Sequence, residues 1–233
     1  MEEPYAENAM TKQKNTTPRQ HKLFWGSSYD RGCQHLLKMW PDIKKVYHDA
    51  TLDFYYGWDL FDIAYANNPE RQEWKKKMQK LMEAPGITEH GRVNKEDLAK
   101  GRQECGIWAY PTDFGETNCI TALDCQLDGV VPCVMNRAGL RESVQSGIRV
   151  EGDIEDELTR ATFLEQLIKL MGDKEMWEEQ QRIGHRHALK YKWPRIAKQW
   201  SQHLGGETNA NAHTSRKTKK QTKEISSDKE SKA

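Results

Sequence analysis

No apolar stretch of this sequence approaches the roughly 20 residues that a membrane-spanning helix needs, so a helical membrane protein is excluded. Its first twenty residues, MEEPYAENAMTKQKNTTPRQ, lack an apolar core and carry no secretory signal. A charge excess of either sign is also missing. Thirty-six Lys and Arg stand against 35 Asp and Glu, a net charge of +1, so no global field points toward nucleic acid or an anionic membrane. Cysteine is sparse and odd in number: Cys33, Cys105, Cys119, Cys125 and Cys133, with no Cys-x-x-Cys. Without a signal segment these read as reduced thiols in a cytoplasmic setting. The spacing of Cys119, Cys125 and Cys133 fits no common zinc pattern, and no bound metal or cofactor is expected.

What the chain does have is one substantial folded stretch between polar ends. The mean hydropathy of -0.95 is low. The segments 1–20 and 205–233 account for much of that and read as disordered, the second with a basic cluster from Arg216 to Lys223 best taken as a solvated tail. Between them, in 21–204, short apolar runs alternate with helical patterns. The runs are Lys22 to Trp25, Thr51 to Tyr56, Gly86 to Glu89, Gly106 to Tyr110, Val130 to Val134 and Gly147 to Val150. Several are bounded by Gly or Pro, as buried strands are. Helices are expected at Arg31 to Trp40, restarting after Pro41 through Val46, and at Gln72 to Met82, Lys95 to Gln103 and Glu116 to Leu127. Such alternation predicts an α/β fold, a single Rossmann-like, doubly wound parallel sheet. After Val150 come long helices, Ile154 to Met171 and Lys174 to Tyr191, and a last one opened by Trp193-Pro194. These form a C-terminal helical cap.

Two loops carry candidate chemistry. The first, Trp25-Gly26-Ser27-Ser28-Tyr29-Asp30-Arg31-Gly32, joins a strand to a helix start. Free N–H groups and a partial positive charge at such a start suit phosphate, and the planar fork of Arg31 adds to them. The second is Phe114-Gly115-Glu116-Thr117-Asn118-Cys119-Ile120-Thr121-Ala122-Leu123-Asp124. With a helix starting near Glu116, Glu116 and Asp124 stand about 12 Å apart along one helical face. Taken singly, Glu116 is a helix cap and Asp124 an acid on a helix flank. Together with the first loop, they place an anion site and two hydroxyl-binding carboxylates on one edge of the sheet, which suits a sugar activated by a nucleoside diphosphate.

These residues resemble a known family. Gly115 to Asp124 is similar to the signature of the retaining, nucleotide-sugar-dependent glycosyltransferases of the GT-B fold, the glycosyl transferases group 1, whose C-terminal domain carries Glu, seven residues, Glu. Here Asp124 stands at the second position, shorter by one methylene. The likeness extends through Ser27 to Gly32 with His35-Leu36-Leu37 and Trp40-Pro41, through Asp49 to Gly57, through Gly91-Arg92-Val93 with Glu96 and Leu98, and through Tyr110-Pro111-Thr112, Ala122 to Pro132 and Trp193 to Trp200. The resemblance implies that Glu116 faces the transferred sugar as the catalytic acid group. It implies a donor site of Ser27, Arg31, Gly32, Arg92, Val93, Gly115, Thr117, Asn118, Cys119 and Asp124. Arg31 and the amides near Asn118 and Cys119 would hold the diphosphate, Asp124 the ribose, and Arg92-Val93 would lie over the base. No metal is implied, since cations and helix dipoles stabilise the leaving diphosphate.

The resemblance covers only the donor half of such an enzyme. A Rossmann-like acceptor half is not found, which leaves a fragment, a split enzyme with a separate acceptor chain, or a domain kept as a non-catalytic binding or interaction module. Other singled-out residues read as structural: His185 and His187 on a basic helix face, His90 on a loop, and Trp177, Trp193 and Trp200 as core or cap aromatics. A dinucleotide-binding domain is disfavoured by the missing Gly-x-Gly-x-x-Gly turn. A glycoside hydrolase is disfavoured because two acids on one helix face do not flank a scissile bond.

Overall fold

The structure, a computed structural model, describes residues 18–204. The polar segments read as disordered therefore lie outside the described residues, with one correction at the N-terminal boundary. Residues 18–20 belong to the fold. Arg19–His21 makes a 3-10 turn, Arg19 Nη2 donates to the carbonyl of Asp128 at 3.0 Å, and its guanidinium lies 5.8 Å from the Trp177 ring centroid.

The first half of the fold runs β1 (Lys22–Trp25), α1 (Cys33–Val46), β2 (Thr51–Phe54), α2 (Asp59–Tyr65), α3 (Pro69–Met82) and β3 (Ile87–Glu89). The second runs α4 (Lys95–Glu104), β4 (Ile107–Tyr110), α5 (Ile120–Leu127), β5 (Val131–Met135), α6 (Leu140–Ser143) and β6 (Ile148–Val150). Then follow α7 (Glu157–Gly172), α8 (Lys174–Ala188) and α9 (Trp193–His203).

The six strands form one sheet in the order β3-β2-β1-β4-β5-β6, and every neighbouring pair is parallel. All six apolar runs of the sequence are strands. The central ones are buried on both faces, as in β4, Ile-Trp-Ala-Tyr, and β5, Val-Pro-Cys-Val-Met, which explains why they read as continuous apolar runs without alternation. Aromatic rings fill the middle: Trp25 lies 5.9 Å from Phe54 and 5.1 Å from Tyr110, and Trp108 stacks on Tyr110 at 4.8 Å. With right-handed connections, the crossovers among β1, β2 and β3 run on one face, and those leading through β4, β5 and β6 on the other. The C-terminal helices expected as a cap are present. α7 packs on β6, β5 and α1, and α8 on α5 and β5. α9 lies in a second unit that begins at Lys190, and none of its residues is buried.

Two helical expectations are corrected. α1 runs unbroken through Pro41. A proline inside a helix costs about 3 kcal/mol, but Leu36, Leu37, Met39, Trp40 and Ile43 are all buried along this helix, and each such side chain gains roughly 1.5–3 kcal/mol on burial. Packing outweighs the breaker. α5 starts at Ile120 and not at Glu116. The residues before it are held by the next crossover: the Gly139 N–H donates to the Glu116 carbonyl at 2.7 Å, and Ser143 Oγ donates to Asn118 Oδ1 and accepts from the Cys119 N–H, both at 3.4 Å. The helices α2 and α6 are not among those the sequence predicts.

Phe163, fully buried in α7, tests the docking of that helix on the sheet. Phe163→Ala is expected to lower the free energy of unfolding by about 3–5 kcal/mol in urea titrations with an unchanged m-value. A loss below about 1 kcal/mol would mean that α7 is not part of the core.

Candidate functional site

The strand order reverses between β1 and β4, so the loops leaving their C-terminal ends part toward opposite faces and open a crevice, the place where open α/β sheets bind ligands. The first loop ends at Gly32, which caps α1 with φ +105°, a conformation that L side chains avoid. A Cβ there would lie 2.5 Å from the Pro111 carbonyl oxygen and 3.0 Å from the Thr112 Cα. Only glycine lets the loop after β1 touch the loop after β4. The N–H groups of Gly32 and Gln34, at the start of α1, donate to no protein atom among the described residues.

That contact brings Arg31 to Glu116. Arg31 Nη1 lies 3.2 Å from Glu116 Oε1, and its guanidinium stacks over Phe114 with 4.0 Å between Cζ and the ring centroid. The Tyr110 hydroxyl donates to the same Oε1 at 3.0 Å, and Ser27 Oγ lies 3.3 Å from that hydroxyl. Since the tyrosine proton is spent on Glu116, Ser27 is the donor to Tyr110. Burial, first of all, pushes the Tyr110 phenol well above its ordinary pKa, so it stays a donor throughout the neutral range. Glu116 Oε2 has no hydrogen-bond partner among the described residues. The loop after β1 is braced further by Asp30, which accepts from Ser28 Oγ at 2.7 Å and from Arg71 Nη2 at 2.9 Å.

The other expected residues fall into three groups. Gly115 is exposed, with open space where a Cβ would project, and Thr117 and Asn118 are exposed beside it. The Cys119 N–H, expected to serve an anion, is taken by Ser143, and burial pushes the Cys119 thiol up to about 12, so it is no nucleophile at neutral pH. Arg92 is exposed and Val93 half-buried on the loop after β3. That loop is tied to the first through the loop after β2, where the Tyr56 N–H donates to the Gly91 carbonyl at 3.0 Å and the Gly57 N–H to the Tyr29 hydroxyl, also at 3.0 Å. His90, read as a loop histidine, pairs with Asp53 at 2.7 Å and stacks on Tyr55.

Asp124 is placed differently from the expectation. Because α5 begins at Ile120, Glu116 lies on the preceding loop and the two acids do not share a helical face. Asp124 Oδ2 stands 3.6 Å from Arg102 Nη1, while the same guanidinium binds Asp128 more closely, at 2.6 Å and 2.7 Å. Burial raises the Asp124 pKa above the ordinary carboxylate range, with Asp128 adding to the shift and Arg102 opposing it. Among the described residues no group of three or more His, Cys, Asp or Glu could hold a metal ion, and no helix is long and apolar enough to cross a membrane.

Two of the site's parts were missed in the sequence. Tyr110 read only as strand, although a tyrosine ending a buried strand needs a partner for its hydroxyl. Phe114, 40% exposed, read as loop, yet it carries the Arg31 guanidinium.

No family model matches the chain, and no curated protein matches it. Solved structures do. The GtfA/B complex superposes with a TM-score of 0.65 at 14% identity, covering 80% of this chain and 36% of that one. Pneumococcal O-GlcNAc transferase GtfA in complex with UDP and GlcNAc gives 0.59 at 15%, covering 80% and 36%. Sucrose-phosphate synthase from Thermosynechococcus elongatus gives 0.61 at 16%, covering 78% and 44%. These neighbours are glycosyltransferases of the GT-B fold. At such identities the likeness is one of fold, and the chain spans less than half the length of each. The single parallel sheet with its flanking helices is the Rossmann-like architecture of those proteins.

The geometry around Arg102 separates a structural acid from a spare one. Asp128→Asn is expected to lower stability by about 2–3 kcal/mol, since it breaks a largely buried pair, whereas Asp124→Asn should change it by less than about 1 kcal/mol. Thermal unfolding of both variants reads this out, and equal losses would show Asp124 to be a structural partner of Arg102.

Proposed function

We propose that this chain is the donor-binding half of a retaining glycosyltransferase that takes a nucleotide-activated sugar. The observation that carries the reading is the pairing of Arg31 with Glu116 across the switch point, beside the unpartnered N–H groups that open α1. A diphosphate there would receive charge-assisted hydrogen bonds from Arg31 and from the Gly32 and Gln34 amides. Glu116 would accept from hydroxyls of the transferred sugar, Arg92 and Val93 would border the base, and Asp124 would reach the ribose. As the glycosidic bond to the diphosphate breaks, negative charge grows on the leaving oxygen. Arg31, once turned from Glu116 to the diphosphate, and the helix start would meet that charge without a metal.

Neighbours of this fold support glycosyl transfer in general; donor, acceptor and retention are part of the proposal. In this reading transfer calls on an acceptor-binding half, supplied by a separate chain or by further sequence, to position the acceptor and exclude water. The second reading, a non-catalytic nucleotide-sugar-binding or interaction module, calls on the same pairing of Arg31 with Glu116 and the same amides without the transfer step. Neither reading calls on nucleic acid or a membrane. The five cysteines are free and buried, which supports a cytoplasmic setting.

Calorimetric titration with UDP, GDP and ADP, each alone and as its glucose and N-acetylglucosamine conjugates, tests the pocket. Arg31→Ala is expected to weaken the preferred nucleoside diphosphate and its conjugates alike by about 10–100-fold, the worth of one charge-assisted bond. Glu116→Ala should weaken the sugar conjugates. Transfer or slow hydrolysis in the presence of an acceptor-half polypeptide would favour the enzyme over the module. A wild-type chain that binds none of these compounds would sink both.

A further inference from the structure

The Arg31–Glu116 pair poses a problem for any ligand with a diphosphate. To bind phosphate, Arg31 must loosen its hold on Glu116, and that hold is one of only two on the carboxylate among the described residues. Both reach the same oxygen, Oε1. The second is the Tyr110 hydroxyl, which is itself held by Ser27. Tyr110 cannot follow the ligand. Its ring is fully buried in the central strand, stacked on Trp108 at 4.8 Å and packed on Trp25 at 5.1 Å. Arg31, by contrast, has a side chain 36% exposed on the exposed face of Phe114 and is free to turn.

We propose that Tyr110, with Ser27 behind it, is a positioning residue for Glu116. It fixes Oε1 so that Oε2 remains in place to accept from a sugar hydroxyl once Arg31 has turned to the diphosphate. This rests on the donor-site reading above and deepens it: the site holds diphosphate and sugar through separate anchors, one mobile and one built into the sheet. In the unliganded chain Arg31 and Tyr110 share the carboxylate oxygen. In the liganded chain Tyr110 holds it alone. The raised pKa of the phenol keeps the proton on Tyr110 across the neutral range, so the anchor works as a donor throughout. The carboxylate is thereby kept from swinging into the space that Arg31 vacates.

The consequence is a division that a merely structural tyrosine would not produce. Tyr110→Phe keeps the ring and its stacking and removes only the hydroxyl. The experiment is calorimetric titration of wild type, Tyr110→Phe and Ser27→Ala with the nucleoside diphosphate that binds best and with its preferred sugar conjugate. Tyr110→Phe is expected to weaken the sugar conjugate about tenfold, roughly the effect of one lost hydrogen bond to a charged group. Its affinity for the bare diphosphate should change less than twofold. Ser27, expected in the donor site, is buried with its hydroxyl on Tyr110, so Ser27→Ala should show the same selectivity at about two- to threefold and serves if the phenylalanine variant folds poorly. Equal losses on both ligands, or none on either, would overturn the positioning role while leaving the donor pocket standing. So would a wild-type chain that binds the conjugate no better than the bare diphosphate. A wild-type chain that binds no diphosphate overturns the pocket, and the positioning role with it.

Discussion

The absence of a side chain at residue 32 governs the candidate site. Backbone from two different crossovers meets there, with a hypothetical Cβ 2.5 Å from the Pro111 carbonyl oxygen. Any other residue would have to adopt an unfavourable positive φ and also displace a neighbouring strand's loop. With glycine, the loops after β1 and β4 close to contact. Arg31, the residue before it, then needs only its own length to reach Glu116. A second glycine contact acts from the opposite side. Gly139, with the Thr117 carbonyl oxygen 2.5 Å from where its Cβ would be, lets the β5–α6 connection press on residues 116 and 117. Glu116 is thus set between two close backbone approaches, and its position follows from the fold more than from its own side-chain contacts.

Magnitudes explain why the pairing of Arg31 and Glu116 is compatible with a ligand site. An ion pair with one partner this exposed is worth at most about 1 kcal/mol. A diphosphate offers more negative charge than a single carboxylate, and the unpartnered amides of α1 add to its hold. In the proposed site, exchange of partners would therefore run downhill when phosphate arrives. The stacking of Arg31 on Phe114 orients the planar fork without consuming its remaining donors. Asp30, pinned by Arg71, is kept as the partner of another cation and does not compete for Arg31.

How much of this was legible in the sequence differs from element to element, for physical reasons. The strands were plain because a parallel sheet covered on both faces demands unbroken apolar runs, and β4 and β5 are such runs. Their alternation with helices implied the doubly wound sheet, and hence that residues 26–32 and 110–116 would converge. The break at Pro41 was misread because local propensity speaks of one residue, while the buried row from Leu36 to Ile43 acts through the whole helix. The start of α5 was misread for the complementary reason. Glu116, Thr117 and Asn118 make a plausible first turn taken alone, but Gly139 and Ser143, more than twenty residues later, bind their backbone and side chains before a helix can. The bond from Tyr110 to Glu116 was hidden because a tyrosine in an apolar run looks like any other core residue until the fold shows where its hydroxyl ends.

The displaced helix start changes what Asp124 can mean. Had α5 begun at Glu116, the two acids would have stood on one rigid face, and a role for one would have argued for the other. They now rest on separate supports, Glu116 on a loop tied to β1 and β4, Asp124 on a helix facing Arg102. The guanidinium of Arg102 is already satisfied by Asp128 at 2.6 Å and 2.7 Å, so the longer contact at 3.6 Å adds little. Asp124 is left half-buried, beside a like charge on Asp128, with its charged form disfavoured chiefly by burial. A carboxylate in that condition gains by accepting hydrogen bonds from a ligand's hydroxyls, because these favour the charged form that its surroundings oppose. The ribose role proposed for Asp124 therefore stands on the weakness of its protein partner and no longer on a shared helical face with Glu116.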